Sequence, residues 1–467
     1  MERKNLFALT ALLVLVAVAV YVMRSPEKGD RIGDRPRPLP ELKASNIATL
    51  ELTQPVSGAG GTDKVTLTKK GEKWQVTAPY DKPADQAAVK AATEALEKVK
   101  WGDITTQQKD RFAELEVSDD KAVHVVAKDA GGLVLADLYL GKNSGNSTMV
   151  RIAGKDEVWQ AGDLYSSAFK KDGKSWREHA IFDLKADDAQ KVTLSAGGSK
   201  VVLERLPPAA ADGNKPAAAA IFEAKWKVVE GQVSTLRPGV ELDHALVNRM
   251  VQGVASLRAT DFLDAAKPEE LGLAPGAPGQ IEVLVAFKDG KSGGVRIGSQ
   301  KGEDYNLQAL DSPQIFTAKK WSVEQLAHVP ADLGDKSLVS LKADQIESVS
   351  VVQDKDVLTV KAADKSWKAD KLADADEAKL KALAESFDNL SGTSFVAPGA
   401  PELASLAKPK AIVTVKPKAG APIVIKIGDA RGDDTIVQKV GQEPLWLKKF
   451  QAERFTKKPA DMAKDKK

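Results

Sequence analysis

One series of landmarks occurs three times along the 467-residue chain, and this repetition constrains the possible folds more than any other feature. Each series opens with Leu-Lys-Ala, a polar turn and an alternating strand pattern, beginning at Leu42, Leu184 and Leu341. A second strand then carries a tryptophan, which is Trp74, Trp226 or Trp367. Because landmarks that recur in a fixed order are typical of repeated structural units, we expect three similar modules at residues 41–183, 184–340 and 341–458.

A helical pattern follows each tryptophan strand. Its apolar residues have the spacing 3, 4, 3 in every series, and they are Val89, Ala92, Leu96 and Val99, then Val247, Met250, Val254 and Leu257, then Leu380, Leu383, Phe387 and Leu390. This spacing places them on one face of an α-helix, which other apolar groups must cover. Each module is therefore predicted to contain one amphipathic helix.

Two pairs of strands complete each module. Alternating apolar residues flank Asp-Ala-Gly-Gly at Asp129, Asp-Gly at Asp289 and Ala-Gly at Ala419, and this is the pattern of β-hairpins. A further strand pair follows each hairpin. The predicted fold class is α+β: an N-terminal transmembrane helix followed by three similar repeats, each a mostly antiparallel β-sheet with a helix packed on one face.

The amino terminus has the composition of a membrane span. Residues 6–23 form an 18-residue stretch without a charge, and as a helix it would measure about 27 Å against a hydrocarbon core of about 30 Å. Arg3 and Lys4 precede it, which favours an amino terminus in the cytoplasm. We predict a cytoplasmic tip and transmembrane anchor at residues 1–24. A signal peptide cleaved near Ala17-Val18-Ala19 is the alternative.

The segments around the modules are predicted to be extended or solvated. Residues 25–40 contain four prolines among charged residues of both signs, so they read as a Pro-rich linker. The insertion at residues 207–220 is rich in proline and alanine and is interpreted as a hairpin tip. Residues 459–467 form a Lys-rich tail. The predicted anchor implies a single-pass membrane protein with the bulk of the chain outside the cytoplasm.

Composition excludes several kinds of chemistry. The chain has no cysteine, so disulfide scaffolds, cysteine-ligated metals and thiol catalysis are excluded. Lys plus Arg is 68 against 65 for Asp plus Glu, a balance that argues against a nucleic-acid partner. The histidines fall at different places in different modules, at His124, His179, His244 and His328. We therefore predict no catalytic, cofactor-binding or metal-binding residues, no cofactor and no enzymatic activity.

The tryptophans divide into two groups. Trp74, Trp226 and Trp367 recur at one position and are interpreted as sheet residues packed under the helix. Trp159, Phe316 and Trp446 also correspond and are interpreted as core residues. Trp101 and Trp176 have no counterparts in the other series, which makes them the better candidates for an exposed contact.

Several short motifs resemble those of a bacterial family, the DUF4340 family. They are the short anchor, the strand tryptophan before a helix, Glu-Leu-Gly-Leu-Ala-Pro at Glu270, and the Ile-Gly ending of the hairpins at Ile297 and Ile427. Members of that family look like envelope proteins that are often encoded beside gliding-type ABC transporter permeases. The resemblance implies a role in a membrane complex, and it supplies no catalytic residues.

Two functions are compatible with these observations. We expect a membrane-anchored extracytoplasmic scaffold, an accessory component of an ABC transporter-like envelope complex. Its partners would be subunits of that inner-membrane complex or other envelope proteins, and the lipid bilayer through residues 6–23. The alternative is a periplasmic module that binds a glycan or peptide in the clefts between repeats.

Overall fold

The structure, a computed structural model, describes residues 37–56, 61–207, 221–233, 240–364 and 366–464. The predicted anchor at 6–23, most of the linker and the insertion residues 208–220 lie outside these ranges. Within them, no helix combines the length and the apolar character needed to cross a bilayer. The chain divides into two compact units, the first ending at His179 and the second beginning at Ala180.

In its described residues, the first unit is built on one antiparallel sheet of nine strands and a helix, α1 (Gln86–Glu97). The strands are β1 (Thr49–Pro55), β2 (Thr62–Lys70), β3 (Lys73–Ala78), β4 (Lys82–Pro83), β5 (Lys100–Thr106), β6 (Val123–Lys128), β7 (Val134–Ser144), β8 (Ser147–Ile152) and β9 (Val158–Gly162). Their order in the sheet is β4-β3-β2-β1-β6-β7-β8-β9-β5.

The second unit contains two eight-stranded antiparallel sheets. The strands of the first are β10 (Ala189–Ala196), β11 (Ser199–Arg205), β12 (Trp226–Glu230), β13 (Asp261–Phe262), β14 (Ile281–Phe287), β15 (Ser292–Lys301), β16 (Asp304–Ala309) and β17 (Ile315–Lys319). Their order is β12-β11-β10-β14-β15-β16-β17-β13. Two helices accompany this sheet, α2 (His244–Ala255) and the short α3 (Lys320–Val323).

The second of these sheets and a two-stranded ribbon complete the unit. The remaining strands are β18 (Ser337–Val339), β19 (Ile346–Gln353), β20 (Asp356–Ala363), β21 (Ser366–Ala369), β22 (Leu390–Ser391), β23 (Ser394–Phe395), β24 (Ala411–Pro417), β25 (Ile423–Arg431), β26 (Asp434–Lys439) and β27 (Leu445–Lys448). The sheet has the order β21-β20-β19-β24-β25-β26-β27-β23, and β18 pairs with β22. The helices here are α4 (Glu377–Glu385) and α5 (Lys449–Phe455).

The three large sheets share one order of strands. Apart from β4, one edge of each sheet is the tryptophan strand, and beside it lie the two strands that precede it in sequence. The four strands of the two hairpins come next. The opposite edge is the strand that follows the helix in sequence. In the second large sheet the first turn is short because glycine permits a positive φ. Gly197 and Gly198, with φ of 56° and 78°, form the two-residue turn between β10 and β11, as expected for a type I′ hairpin. The predicted α+β class with mostly antiparallel sheets is confirmed.

Each long helix covers one sheet face with the apolar stripe that its sequence predicts. Val89, Val247 and Leu380 are fully buried in three separate apolar cores. The last residue of each predicted stripe lies beyond its helix, because α1 ends at Glu97, α2 at Ala255 and α4 at Glu385. Leu390 lies in strand β22, and Phe387 remains buried just beyond α4.

A short 3-10 segment packs on the opposite face of each sheet. A Cβ on Gly141, Gly298 or Gly428 would lie 2.2–2.3 Å from an atom of that segment or, for Gly141, of Leu115 in the turn after it, so only glycine fits at these three positions without a shift. Each glycine also marks a register shift between the second and third strands of the paired hairpins. The Ile-Gly endings noted in the sequence are therefore bulges on which the 3-10 segments rest.

The predictions for three tryptophans require correction. Trp101 and Trp176 are only 5% and 0% exposed, so neither is an exposed contact. Trp446 does not correspond to Trp159 and Phe316, because Leu445 occupies that register position, opposite Val437. Since neighbouring strand residues point to opposite faces, Trp446 packs in a separate cluster with Val396 and Leu406.

Candidate functional site

A polar cleft of about 400 Å³ lies in the second unit, between α2 and the loop that follows β22. Its lining residues are Asp243, Leu246, Arg249, His328, Asp332, Asp335, Lys336, Ser337, Ser391, Gly392 and Thr393. Most are charged or hydroxyl-bearing, and no phenylalanine, tyrosine or tryptophan is among them. A cleft of this size accommodates a small polar molecule or a short segment of another chain.

Helix α2 supplies one wall. Its N-cap residue Asp243 accepts a hydrogen bond from the backbone N–H of Leu246 at 2.9 Å, which satisfies one of the free donors of the first turn. Asp243, Leu246 and Arg249 are spaced three residues apart and so share a helix face. Leu246 is buried and Arg249 is exposed, which leaves the guanidinium at the mouth of the cleft.

The chain between α3 and β18 supplies the second wall, and hydrogen bonds fix its path. The Asp332 carboxylate accepts the N–H of Val329 at 3.1 Å, and that of Asp335 accepts the N–H of Ser337 at 2.9 Å. The Lys336 ammonium donates to the carbonyl oxygens of Asp332 and Gly334. This wall is therefore held by side chains that fold back onto their own backbone.

The third wall is the end of β22 and the two residues after it, and backbone hydrogen bonds tie it to the second wall. The N–H of Gly392 donates to the carbonyl oxygen of Lys336 at 2.9 Å, beside the β18–β22 pair. The Lys336 ammonium lies 5.5 Å from the ring centroid of Phe395, within reach of a cation–π contact. The cleft thus lies between α2, the segment that leads into β18, and the end of β22 with the residues after it.

Burial disfavours positive charge inside the cleft. It lowers the pKa of the Lys336 ammonium below its ordinary value, while the neighbouring Asp332 carboxylate opposes the shift. The pKa of the His328 imidazole is lowered by the same burial, again against the influence of Asp332. Such pKa shifts indicate groups whose positive charge loses hydration on burial and is only partly offset by neighbouring carboxylates.

The histidines predicted to be structural occupy four separate environments. His124 contacts the Asp137 carboxylate at 2.6 Å and stacks on Tyr139 with 4.2 Å between ring centroids. His179 lies at the end of the first unit, and His328 lines the cleft. Across the described ranges no three His, Asp or Glu residues are grouped as a metal site would require.

His244 performs a structural task that another residue performs in the first unit. As the first residue of α2, it accepts the backbone N–H of Trp226 on Nδ1 at 3.2 Å. Gln86, the first residue of α1, accepts the N–H of Trp74 on Oε1 at 2.8 Å. Both side chains therefore join the helix start to the tryptophan strand.

The repeated tryptophans lie away from the cleft and in the cores, as predicted. Trp226 is buried and donates from Nε1 to the Asn248 side chain on α2 at 2.7 Å. Trp74 and Trp367 are half-buried against the cores of their sheets.

Sequence reasoning did not identify the cleft. Arg249 and Lys336 are far apart in sequence and belong to no motif, so only the return of the chain to the start of α2 brings them together. The single available signal was His328, a histidine directly after a short helix.

Comparison with known proteins is consistent with the motif resemblance. The family model described as "Domain of unknown function (DUF4340)" matches residues 74–276 and again residues 239–409. Each match begins in the sequence of one sheet and ends in that of the next. No curated protein matches the chain. Because the two matches together cover well over half of its length, the chain belongs to the DUF4340 family.

Proposed function

We propose that this chain is a membrane-anchored extracytoplasmic interaction protein, built from three copies of one module and acting as an accessory component of an ABC transporter-like envelope complex. The shared strand order of the three large sheets supports the triplication. The charge-free stretch at residues 6–23 supports the anchor. The transporter context comes from the family resemblance.

One observation carries the interaction role. Trp321 in the first turn of α3 is 69% exposed, and Phe450 in the first turn of α5 is 58% exposed. Each ring comes just after the last strand of the second hairpin in its sheet, and two lysines immediately precede it. The two rings therefore occupy equivalent places in two sheets. Exposed aromatic side chains are enriched among the residues that dominate protein–protein binding. We therefore assign these two rings to partner contacts.

Site-specific crosslinking in native membranes tests this assignment. A photoreactive residue at position 321 or 450 of the full chain should capture membrane-complex subunits, which mass spectrometry would identify. Leu133, which is 67% exposed at a hairpin turn of the first unit, is the matched control position. Equal capture from all three positions, or capture of no envelope protein, would contradict the proposal.

The anchor has its own test. If residues 6–23 span the bilayer, the full chain should stay in the membrane pellet after alkaline carbonate extraction. A reporter phosphatase fused at the carboxyl terminus should be active only if that end lies outside the cytoplasm. Release of the full chain by carbonate would contradict the anchor.

A second function, binding of a small ligand, is favoured by the cleft beside α2. Its walls come from three segments that are distant in sequence, and its basic side chains are incompletely compensated. A ligand placed there would contact all three segments at once. Calorimetric titration of the full chain with candidate ligands tests this function independently of any protein partner.

A further inference from the structure

The cleft beside α2 contains three basic side chains that form no salt bridge with any described residue. These are Arg249, His328 and Lys336. Elsewhere in the described residues, exposed lysines do form such pairs, as Lys319 does with Asp304 at 3.1 Å. Lys336 is half-buried, and carbonyl oxygens engage two of its three ammonium donors. One donor therefore remains for an anionic group in the cleft.

The same cleft contains three carboxylates whose hydrogen bonds are incomplete. Asp243, Asp332 and Asp335 each accept one backbone N–H on one oxygen. The second oxygen of each accepts no hydrogen bond from a described residue. An ionised carboxylate can accept about four hydrogen bonds, so these oxygens are available to a cationic donor.

The lining offers side chains of both charges and no phenylalanine, tyrosine or tryptophan ring. A purely anionic ligand would meet three carboxylates, and a purely cationic one would meet Arg249 and Lys336. A neutral sugar would find none of these three large aromatic rings on which to stack. A ligand that carries both a carboxylate and an ammonium group matches both sets, because each end can form charge-assisted hydrogen bonds.

We propose that the cleft binds an amino acid or short peptide through its ionised ends. The ligand carboxylate contacts Arg249 and Lys336, and its ammonium group contacts the carboxylates of Asp243, Asp332 and Asp335. This inference rests on the ligand-binding function proposed above and names its ligand class. Bound peptide would join the α2 wall to the loop after β22.

Calorimetry on the full chain tests the ligand class with dipeptides of alanine followed by alanine, glutamate or lysine. Each dipeptide is used with free ends, with an acetylated amino end, and with an amidated carboxyl end. At least one free dipeptide should bind, and either cap should weaken its binding about tenfold or more, since a charge-assisted hydrogen bond is lost.

The variant Arg249→Gln assigns the carboxylate. It should weaken binding of the free dipeptide about tenfold or more and leave the affinity for the amidated dipeptide unchanged. The effects of the substitution and of the amide cap would then not add, which indicates a direct contact between Arg249 and the ligand carboxylate. Arg249 is exposed, so the fold should persist, as circular dichroism would verify. Lys90→Gln, an exposed helix lysine of the first unit, is the matched control and should change nothing.

Two results separate failure of the ligand class from failure of the site. Galacturonate has a carboxylate and hydroxyls but no ammonium group. If it binds more tightly than the dipeptides, or if free and capped dipeptides bind equally, the proposed ligand class is wrong but the ligand-binding function stands. Absence of binding by every dipeptide and by galacturonate at millimolar concentration would overturn both.

Discussion

The backbone N–H of Asp85 donates a hydrogen bond to the carbonyl oxygen of Trp176 at 2.9 Å, so the last segment of the first unit closes onto the start of its helix. The same contact joins Asp243 to Leu333 and Asp376 to Met462, at 2.8 Å in both cases. In each case the donor residue is also the N-cap of the helix. Trp176 therefore has positional counterparts, although their side chains differ.

The closing contact predicts a specific weakness at the carboxyl-terminal end. Met462 is 4% exposed and packs in the core of the last sheet. We expect Met462→Ala to lower the free energy of unfolding by about 2–5 kcal/mol, because it removes apolar contacts and leaves a cavity. Met462→Leu should cost less than about 1.5 kcal/mol, since the volume is nearly conserved.

Hydrogen exchange provides the measurement for this pair of variants. Loss of protection in α4 should accompany Met462→Ala but not Met462→Leu. Protection of α1, which lies in the other compact unit, serves as the internal control. Unchanged protection of α4 in Met462→Ala would show that the closing segment does not hold the helix.

Two tryptophans should respond in opposite ways to truncation. Trp176 is fully buried, whereas Trp321 is 69% exposed. We expect Trp176→Ala to cost about 3–5 kcal/mol of stability and Trp321→Ala to change it by less than about 0.5 kcal/mol. Urea denaturation measures both. A Trp321→Ala variant that unfolds as readily as Trp176→Ala would contradict the assignment of Trp321 to a partner contact.

A glycine substitution tests the packing of the 3-10 segment on the sheet. A Cβ on Gly298 would lie 2.3 Å from the carbonyl oxygen of Leu271, which is backbone and cannot rotate away. We expect Gly298→Ala to destabilise the chain by about 1–3 kcal/mol through overpacking. Gly131, whose Cβ would approach only the Asp129 side chain, at 3.4 Å, is the control, and Gly131→Ala should be neutral or slightly stabilising. Equal thermal midpoints for the two variants would refute this account.

Acidification should weaken the second unit through its histidines. Burial lowers the pKa of His244 and of His328 below the ordinary value of 6.5. Between the folded and unfolded pKa values the unfolded chain binds more protons, so stability falls as the pH drops below 6.5 through the folded pKa values,. Urea denaturation over the range from about pH 7.5 to pH 5 measures the slope.

A substitution that copies the equivalent residue of the first unit measures how much of this pH dependence comes from His244. His244→Gln places at the start of α2 the residue that starts α1, where Gln86 accepts the N–H of Trp74. Glutamine keeps an acceptor for the Trp226 N–H but does not titrate near neutral pH. We expect a shallower pH dependence with little change near pH 7.5 or above, and an unaltered slope would exclude His244 as a contributor.

Much of the local architecture was predictable because it depends on periodicity. Alternating residues on either side of Asp289 gave the hairpin of β14 and β15, and the stripe through Val247 and Met250 gave α2. Prediction was less successful for the registers of paired strands and for the ends of helices. Trp446 seemed equivalent to Phe316 in sequence, but the pairing with β26 shifts it by one residue and so places it on the other face.

The sequence by itself determined the α+β class, the hairpins, the helical stripes and the family, since these follow from local patterns of apolar residues, glycines and short motifs. Only the tertiary structure decided that Trp176 is buried, that His244 takes the place of Gln86, and that Arg249 and Lys336 line one cleft. These relationships join residues that are distant along the chain. They arise when each closing segment returns to a helix start, and no local pattern encodes the side chains that meet there.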